Sequence, residues 1–315
     1  MIKPPRLKSD SLIGLVAPAS PPSHARLLHR GQRTLQELGF RVRLGRHLMD
    51  CQGYLAGHDE ARAKDLNEMF ADEAVEAIFC VRGGYGAARL LPWLNFEALE
   101  KNPKIFMGYS DITVLELAFL KMIGLVTFYG PMVTTEMAQD FLKDDRERML
   151  EVLTQARPPR PIGVNPEESE LAVIRHGKAT GSLVGGCLSV LVSLLGTPYE
   201  PDLEGTILFV EDVDEEPYRM DRYLTQLRLS AKLNDVAGIA IGQCPNCEPR
   251  KDRSAFTSSL SCQEVLRDRL GDLGVPVLSG LGFGHGRYKA TLPQGVQATL
   301  DANQGVLEIL EAAVC

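Results

Sequence analysis

Three short segments of this 315-residue chain place a reactive or ligand-facing group where the backbone must turn sharply. The first is Gly108-Tyr109-Ser110-Asp111-Ile112, at the join between an apolar strand and a helix. In an open α/β sheet, ligands gather at the carboxyl ends of strands, so a serine there lies beside the unsatisfied N–H groups of a helix N-terminus. Such a serine can act as a nucleophile whose following N–H binds an oxyanion, and Ser110 or Asp111 can equally well cap the helix. The familiar nucleophile elbow has a second glycine where this chain has Ile112, so the pentapeptide departs from that motif.

The second segment is Arg82-Gly83-Gly84-Tyr85-Gly86, after the apolar run Val75–Val81. Consecutive glycines let backbone approach a ligand and aim N–H groups at negative charge, as half of an oxyanion hole would require. A dinucleotide loop would need a third glycine where Arg89 stands, and the preceding strand is not the first of the chain. A tight turn without chemistry is the remaining reading.

The third is Gly282-Phe283-Gly284-His285-Gly286. Of the six histidines, His285 alone has glycines on both sides, which leaves its imidazole accessible to a partner from elsewhere. A histidine acting as general base needs an acid to fix its tautomer. Glu211 is the candidate: it continues the apolar strand Thr206–Val210 and opens the acidic run Glu211-Asp212-Val213-Asp214-Glu215-Glu216. Asp214 to Glu216 read as a solvated loop. The order Ser110, Glu211, His285 matches the serine, acid, histidine order of α/β-hydrolases. Cys244-Pro245-Asn246-Cys247 has a ligand-like spacing, but no second pair follows, so incidental thiols are expected and no metal.

The elements that must hold these groups alternate in the first half. Leu12–Ala17, Phe40–Leu44, Val75–Val81, Lys104–Tyr109 and Leu125–Tyr129 predict strands. Ser23–Leu38, His58–Phe70, Tyr85–Leu91 and Asp111–Met122 predict helices. The pattern is that of an α/β fold with a Rossmann-like N-terminal domain built on a parallel sheet, residues 1–145. A connecting segment over 146–170 carries a polar helix ending near Ala156 and the run Arg157-Pro158-Pro159-Arg160-Pro161. A β-rich, mixed C-terminal domain follows over 171–315. Its expected strands include Leu171–Arg175, Thr180–Val184, Thr206–Val210 and Val236–Ile241, with a closing hairpin from Gly295–Leu300 and Val306–Leu310. The apolar stretch Leu183 to Gly196 is too short for a membrane span and is expected to be a buried helix.

Composition narrows the function classes. Basic residues number 34 against 41 acidic, a net charge of −7, which leaves no excess for a phosphate backbone and argues against nucleic acid as partner. The odd count of seven cysteines, spread along the chain, fits a reducing cytoplasm. Residues 1–19 imitate a signal peptide, but the apolar core is short and Asp10 precedes it, so no export and no membrane association are expected.

Taken together, Gly14-Leu15-Val16-Ala17-Pro18-Ala19-Ser20, Gly53-Tyr54-Leu55-Ala56-Gly57, the Arg82 and Gly108 segments, Gly181 with Gly185-Gly186, Leu208-Phe209-Val210-Glu211-Asp212, Gly284-His285-Gly286 and Leu292-Pro293-Gln294-Gly295 resemble the LD-carboxypeptidase family of serine peptidases. The resemblance runs from about residue 10 to 311 in one order and spacing. It implies a Ser-Glu-His triad split between the two domains, without metal or cofactor. Ser110 would be nucleophile, His285 base and then acid, and Glu211 its orienter, with the N–H groups of Gly84 and Asp111 as oxyanion donors. Arg82, Gly83, Tyr109 and Arg287 are candidate substrate contacts.

The implied substrate is a cytoplasmic murein tetrapeptide that loses its terminal D-alanine during cell-wall recycling, and the implied assembly is a homodimer. A related subgroup, the microcin-immunity peptidases, cuts an amide of an aminoacyl or peptidyl adenylate. Its inter-domain connection carries an aromatic to stack on adenine, whereas Glu136 to Glu170 here has no Trp or Tyr and only Phe141. Cys187 stands where some members have Asn. A small-ligand binding protein on the same Rossmann-like half would explain the glycine loops but give Ser110, Glu211 and His285 no joint role.

Overall fold

The computed structural model describes residues 1–163, 172–249 and 257–315. The first half alternates β1 (Leu12–Val16), α1 (Ala25–Glu37), β2 (Arg41–Leu44), α2 (Asp59–Ala71), β3 (Ala77–Cys80), α3 (Phe96–Lys101), β4 (Ile105–Gly108), α4 (Thr113–Ile123), β5 (Phe128–Tyr129) and α5 (Lys143–Thr154). Strands β1, β3 and β4 are buried at every position, as parallel strands covered on both faces must be. The second half comprises β6 (Ala172–Arg175), β7 (Lys178–Cys187), α6 (Leu188–Ser193), β8 (Thr206–Glu211), α7 (Pro217–Leu229), β9 (Gly238–Gln243), α8 (Cys262–Leu270), β10 (Val277–Gly284), β11 (Leu292–Pro293), β12 (Gln297–Asp301) and β13 (Val306–Ile309).

Two sheets result. The first has six strands in the order β11-β5-β4-β3-β1-β2, all parallel except β11. The second has seven, β13-β12-β7-β8-β9-β10-β6. Its centre, β7 to β10, is parallel, while at its flanks β12 pairs antiparallel with β7, β13 antiparallel with β12, and β6 antiparallel with β10. The mixed α/β class expected from the sequence is the one observed. So is the closing hairpin, β12 with β13, around Asn303 and Gly305.

Two local expectations change. Leu183–Gly196 is not one helix: β7 continues to Cys187, and only Leu188–Ser193 is helical. Gly185 and Gly186 explain the difference, because a Cβ on Gly185 would fall onto the carbonyl oxygen of Phe209 in β8. The glycine therefore serves close strand approach rather than breaking a helix. Tyr85–Leu91 is replaced by a 3₁₀ segment, Ala87–Trp93, with Pro92 inside it. Strand β10 and helices α7 and α8 are additional to the elements that the sequence pattern predicts. Leu171 and residues 164–170 of the expected linker lie outside the described residues.

Helix α4 lies between the sheets, with every residue from Thr113 to Phe119 buried. Inside it, Glu116 is fully buried, and burial pushes its carboxyl well above the usual range. Gln294, just past β11, donates to Glu116 Oε2 at 2.9 Å and accepts the N–H of Gly185 at 3.2 Å. Thr113 Oγ1 accepts the N–H of Cys187 at 3.1 Å. The start of α4, which follows Ser110, is thereby fixed against the end of β7.

Gly185→Ala should destabilise the fold by about 1–3 kcal/mol, because β7 and β8 must separate at the Gly185–Phe209 pair to admit a methyl group. Urea unfolding checks this, and an unchanged midpoint would show that the two strands have slack.

Candidate active site

The side chains singled out in the sequence collect where parallel strands of both sheets end. Ser110 follows β4 and has φ +66°, a left-handed conformation that costs a non-glycine residue roughly 1–2 kcal/mol. It is half-buried, and neither it nor Asp111 caps its own helical turn. The turn is an elbow despite Ile112: the glycine it needs is Gly108, whose Cβ would lie 2.8 Å from Ile112 Cγ2.

The glycine loop runs alongside. A Cβ on Gly83 would sit 2.8 Å from Ser110 Cβ and 3.0 Å from its Oγ, so the loop can press on the serine only because it has no side chain there. Gly84 and Gly86 have φ +115° and +119°. Three groups from other elements anchor the loop. Ser20 donates its N–H to Gly83 O at 3.3 Å and accepts the N–H of Tyr85 at 3.3 Å. The buried Arg62 guanidinium donates to the carbonyls of Pro18 and Gly86 and pairs with Asp59. Asp111 Oδ2 accepts the N–H of Ala87 at 2.8 Å, and desolvation raises its carboxyl to about 6. Arg62 carries no local sequence signal, since its partners Pro18 and Gly86 are distant in the chain.

Glu211 is the last residue of β8 and is completely buried. Its Oε2 accepts from His285 twice, from the backbone N–H at 2.8 Å and from Nδ1 at 2.7 Å. A carboxylate can only accept, so the imidazole proton resides on Nδ1 and Nε2 is left as the basic nitrogen. Gly284 has φ +91°, and a Cβ there would overlap the Glu211 side chain, which explains the first of the two flanking glycines. The second, Gly286, packs against Gln243 at the end of β9.

Lys289 braces the same turn, donating to Gly284 O at 2.7 Å and Gly286 O at 2.5 Å on either side of His285. Burial lowers its pKa. The Tyr109 ring meets the His285 ring edge-on at 4.9 Å, and its hydroxyl donates to Glu136 Oε1 at 2.8 Å.

Asp212, the neighbouring acid, points elsewhere. It accepts the N–H groups of Ser189 at 2.7 Å and Val213 at 2.9 Å, and burial raises its carboxyl to about 6. Cys187 is buried with its thiol against Asp212 and Ser189. Of the two arginines considered, Arg287 is exposed, whereas Arg82 has a buried Nε without a hydrogen-bond partner. Among the described residues, no group of three or more His, Cys, Asp or Glu side chains could hold a metal ion, and no helix is long and apolar enough to cross a membrane.

Residues 13–130 match the model of the LD-carboxypeptidase N-terminal domain and residues 180–300 that of the LD-carboxypeptidase C-terminal domain. A protein of Bacillus subtilis described as a probable murein peptide carboxypeptidase is 41% identical over 312 residues, covering 99% of this chain and 95% of its own. The structure of a muramoyltetrapeptide carboxypeptidase from Oxalobacter formigenes aligns with TM-score 0.83 and 31% identity, over 95% of this chain and 99% of that one. The wild-type microcin C7 self-immunity protein MccF, without ligand, aligns with TM-score 0.89 and 26% identity over 100% of both chains.

The raised carboxyl of Asp111 gives a pH signature. Between pH 4 and about 6 the folded protein keeps a proton there that the unfolded chain has lost, so this group's contribution to stability falls as pH rises through that window and is flat above it. Asp111→Asn, which can still accept the Ala87 N–H, should lack that slope. Unfolding free energies of the two proteins across pH 4–8 check this, and parallel curves would refute it.

Proposed function

The chain belongs to the LD-carboxypeptidase family, and on that premise we propose that it is a serine peptidase that releases terminal D-alanine from murein tetrapeptides by hydrolysing an L,D amide bond. The observation that carries this reading is the fixed Glu211–His285 pair, 2.7 Å apart, brought to the same place as a serine on a strained elbow. In the proposed reaction Ser110 Oγ attacks the scissile carbonyl as His285 Nε2 takes its proton. The N–H groups of Gly84 and Asp111 hold the oxyanion, and His285 returns the proton to the departing D-alanine amine. Water then cleaves the acyl-enzyme with His285 again as base. Glu211 stabilises the imidazolium throughout. The nucleophile belongs to residues 1–145, and the acid and base to 171–315.

A carboxypeptidase must read a free carboxylate beside the bond it cuts. Arg82, which opens the glycine loop that presses on Ser110, is our choice for that role over Arg287. Gly83 and Tyr109 would line the same site. We place the reaction in the cytoplasm, on recycled muropeptides, and expect a homodimer.

A second reading, cleavage of an adenylate amide as in microcin immunity, has the higher fold similarity in its favour, TM-score 0.89 against 0.83. Sequence identity runs the other way, at 26% against 31%, and the murein reading also has the 41% identical relative. The absence of Trp and Tyr from 136–170 supports it further.

Incubation with a murein tetrapeptide should release free D-alanine, and an amidated tetrapeptide should react about 10–100-fold more slowly in kcat/KM. Faster cleavage of an aminoacyl sulfamoyl adenosine would select the second reading.

Ser110→Ala should abolish turnover in a folded protein, and Glu211→Gln should cost about 10²–10⁴ in kcat. A silent Glu211→Gln beside a crippling Asp212→Asn would transfer the acid's role to Asp212.

A further inference from the structure

Tyr129 is absent from every motif that pointed to the site, yet its hydroxyl touches both sides of it. The residue ends β5 and pairs in register with Gly108, two residues before the nucleophile. It is 1% exposed, with its ring edge-on to Phe209 at 5.4 Å and to Tyr109 at 5.9 Å. Phe209 lies in β8 two residues before Glu211, so the same face of that strand holds both the ring and the acid. The hydroxyl donates to Glu211 Oε1 at 2.5 Å and accepts the N–H of Ser110 at 3.4 Å. Because Glu211 Oε2 is occupied by His285, the two carboxylate oxygens are divided between the histidine and this tyrosine.

We infer that Tyr129 is a positioning residue for the proposed reaction, its hydroxyl fixing the Glu211 carboxylate for His285 and coupling that carboxylate to the backbone of the nucleophile. The inference rests on the serine-peptidase reading but makes a separate physical claim. A donor on Oε1 withdraws charge from Oε2 and so sets how strongly Glu211 holds the imidazole proton. It also supplies part of the compensation that a wholly buried carboxylate requires. Burial drives the phenol's own ionisation far above the working range, which keeps it a donor throughout. Tyr129 reaches no reacting atom: it acts through Glu211 and the Ser110 amide.

Tyr129→Phe keeps the ring between Phe209 and Tyr109 and removes only the hydroxyl. In the full-length variant kcat should fall about 10–100-fold, the equivalent of one hydrogen bond to a charged group, with KM unchanged. The proton NMR resonance of the His285 Nδ1–H should move downfield, because Oε2 becomes the stronger acceptor. Replacing Tyr129 by 3-fluorotyrosine, a stronger donor of nearly the same volume, should move it upfield, and this arm stands if the phenylalanine variant fails to fold. Wild-type kcat in folded Tyr129→Phe, or a resonance that stays in place in either variant, would overturn the inference. The resonance needs no substrate, so a wild-type protein that cleaves neither the tetrapeptide nor the adenylate amide would defeat the peptidase reading while this claim is still decided by the spectrum.

Discussion

The structure depends on placing one carboxylate, that of Glu211, wholly out of water. Removing such a group from solvent is costly unless donors replace the water it loses. Here the replacement comes from His285, through backbone and ring, and from Tyr129. Each donor imposes a condition on the chain. The backbone N–H of His285 reaches the carboxylate only because Gly284 has no Cβ and adopts positive φ. Tyr129 reaches it from the other sheet, so strands β5 and β8 must end at the same level. The junction of the two halves is therefore set by a polar requirement as much as by the apolar packing around it.

The glycine loop is held by a different logic. It has little side-chain mass of its own, and glycine loses more backbone freedom on ordering than any other residue. Its conformation is imposed from outside, by Ser20 after β1, Arg62 in α2 and Asp111 after β4. Burying the Arg62 guanidinium is costly in itself, and its bonds to two carbonyls and Asp59 tie α2 to the end of that loop. N–H groups that do not move when charge develops are the condition for effective oxyanion binding.

Much of this was legible in the sequence, for identifiable reasons. Strands β1, β3 and β4 are unbroken apolar runs bounded by turn residues, and the groups at their ends follow from the rule that ligands collect at carboxyl ends of parallel strands. Glu211 could be separated from Asp212 because it continues a buried strand, and the structure gives the two acids different partners. The strand expected over Thr180–Val184 runs on to Cys187, where the apolar pattern suggests a helix, because a buried strand and a buried helix look alike by hydropathy. The omission of strand β10 has a different cause, since its three glycines weaken the strand signal in Val277–Gly284. Tyr129 and Arg62 were invisible because their importance lies in partners 82 and 24 residues away, which no local pattern encodes.

The two-residue strand β11 has a consequence for how the chain is assembled. It comes from residues 292–293 yet pairs with β5, closing the edge of a sheet whose other strands all lie before residue 130. Until that late segment arrives, β5 is an unpaired edge, the kind of surface that recruits other chains. During synthesis the first sheet emerges from the ribosome long before its last strand does, and remains open while the second sheet is being made. The halves are therefore not interchangeable cassettes. Any recombination between relatives that took the first sheet from one parent and residues 292–293 from another would have to match the β5 edge as well as the reacting groups.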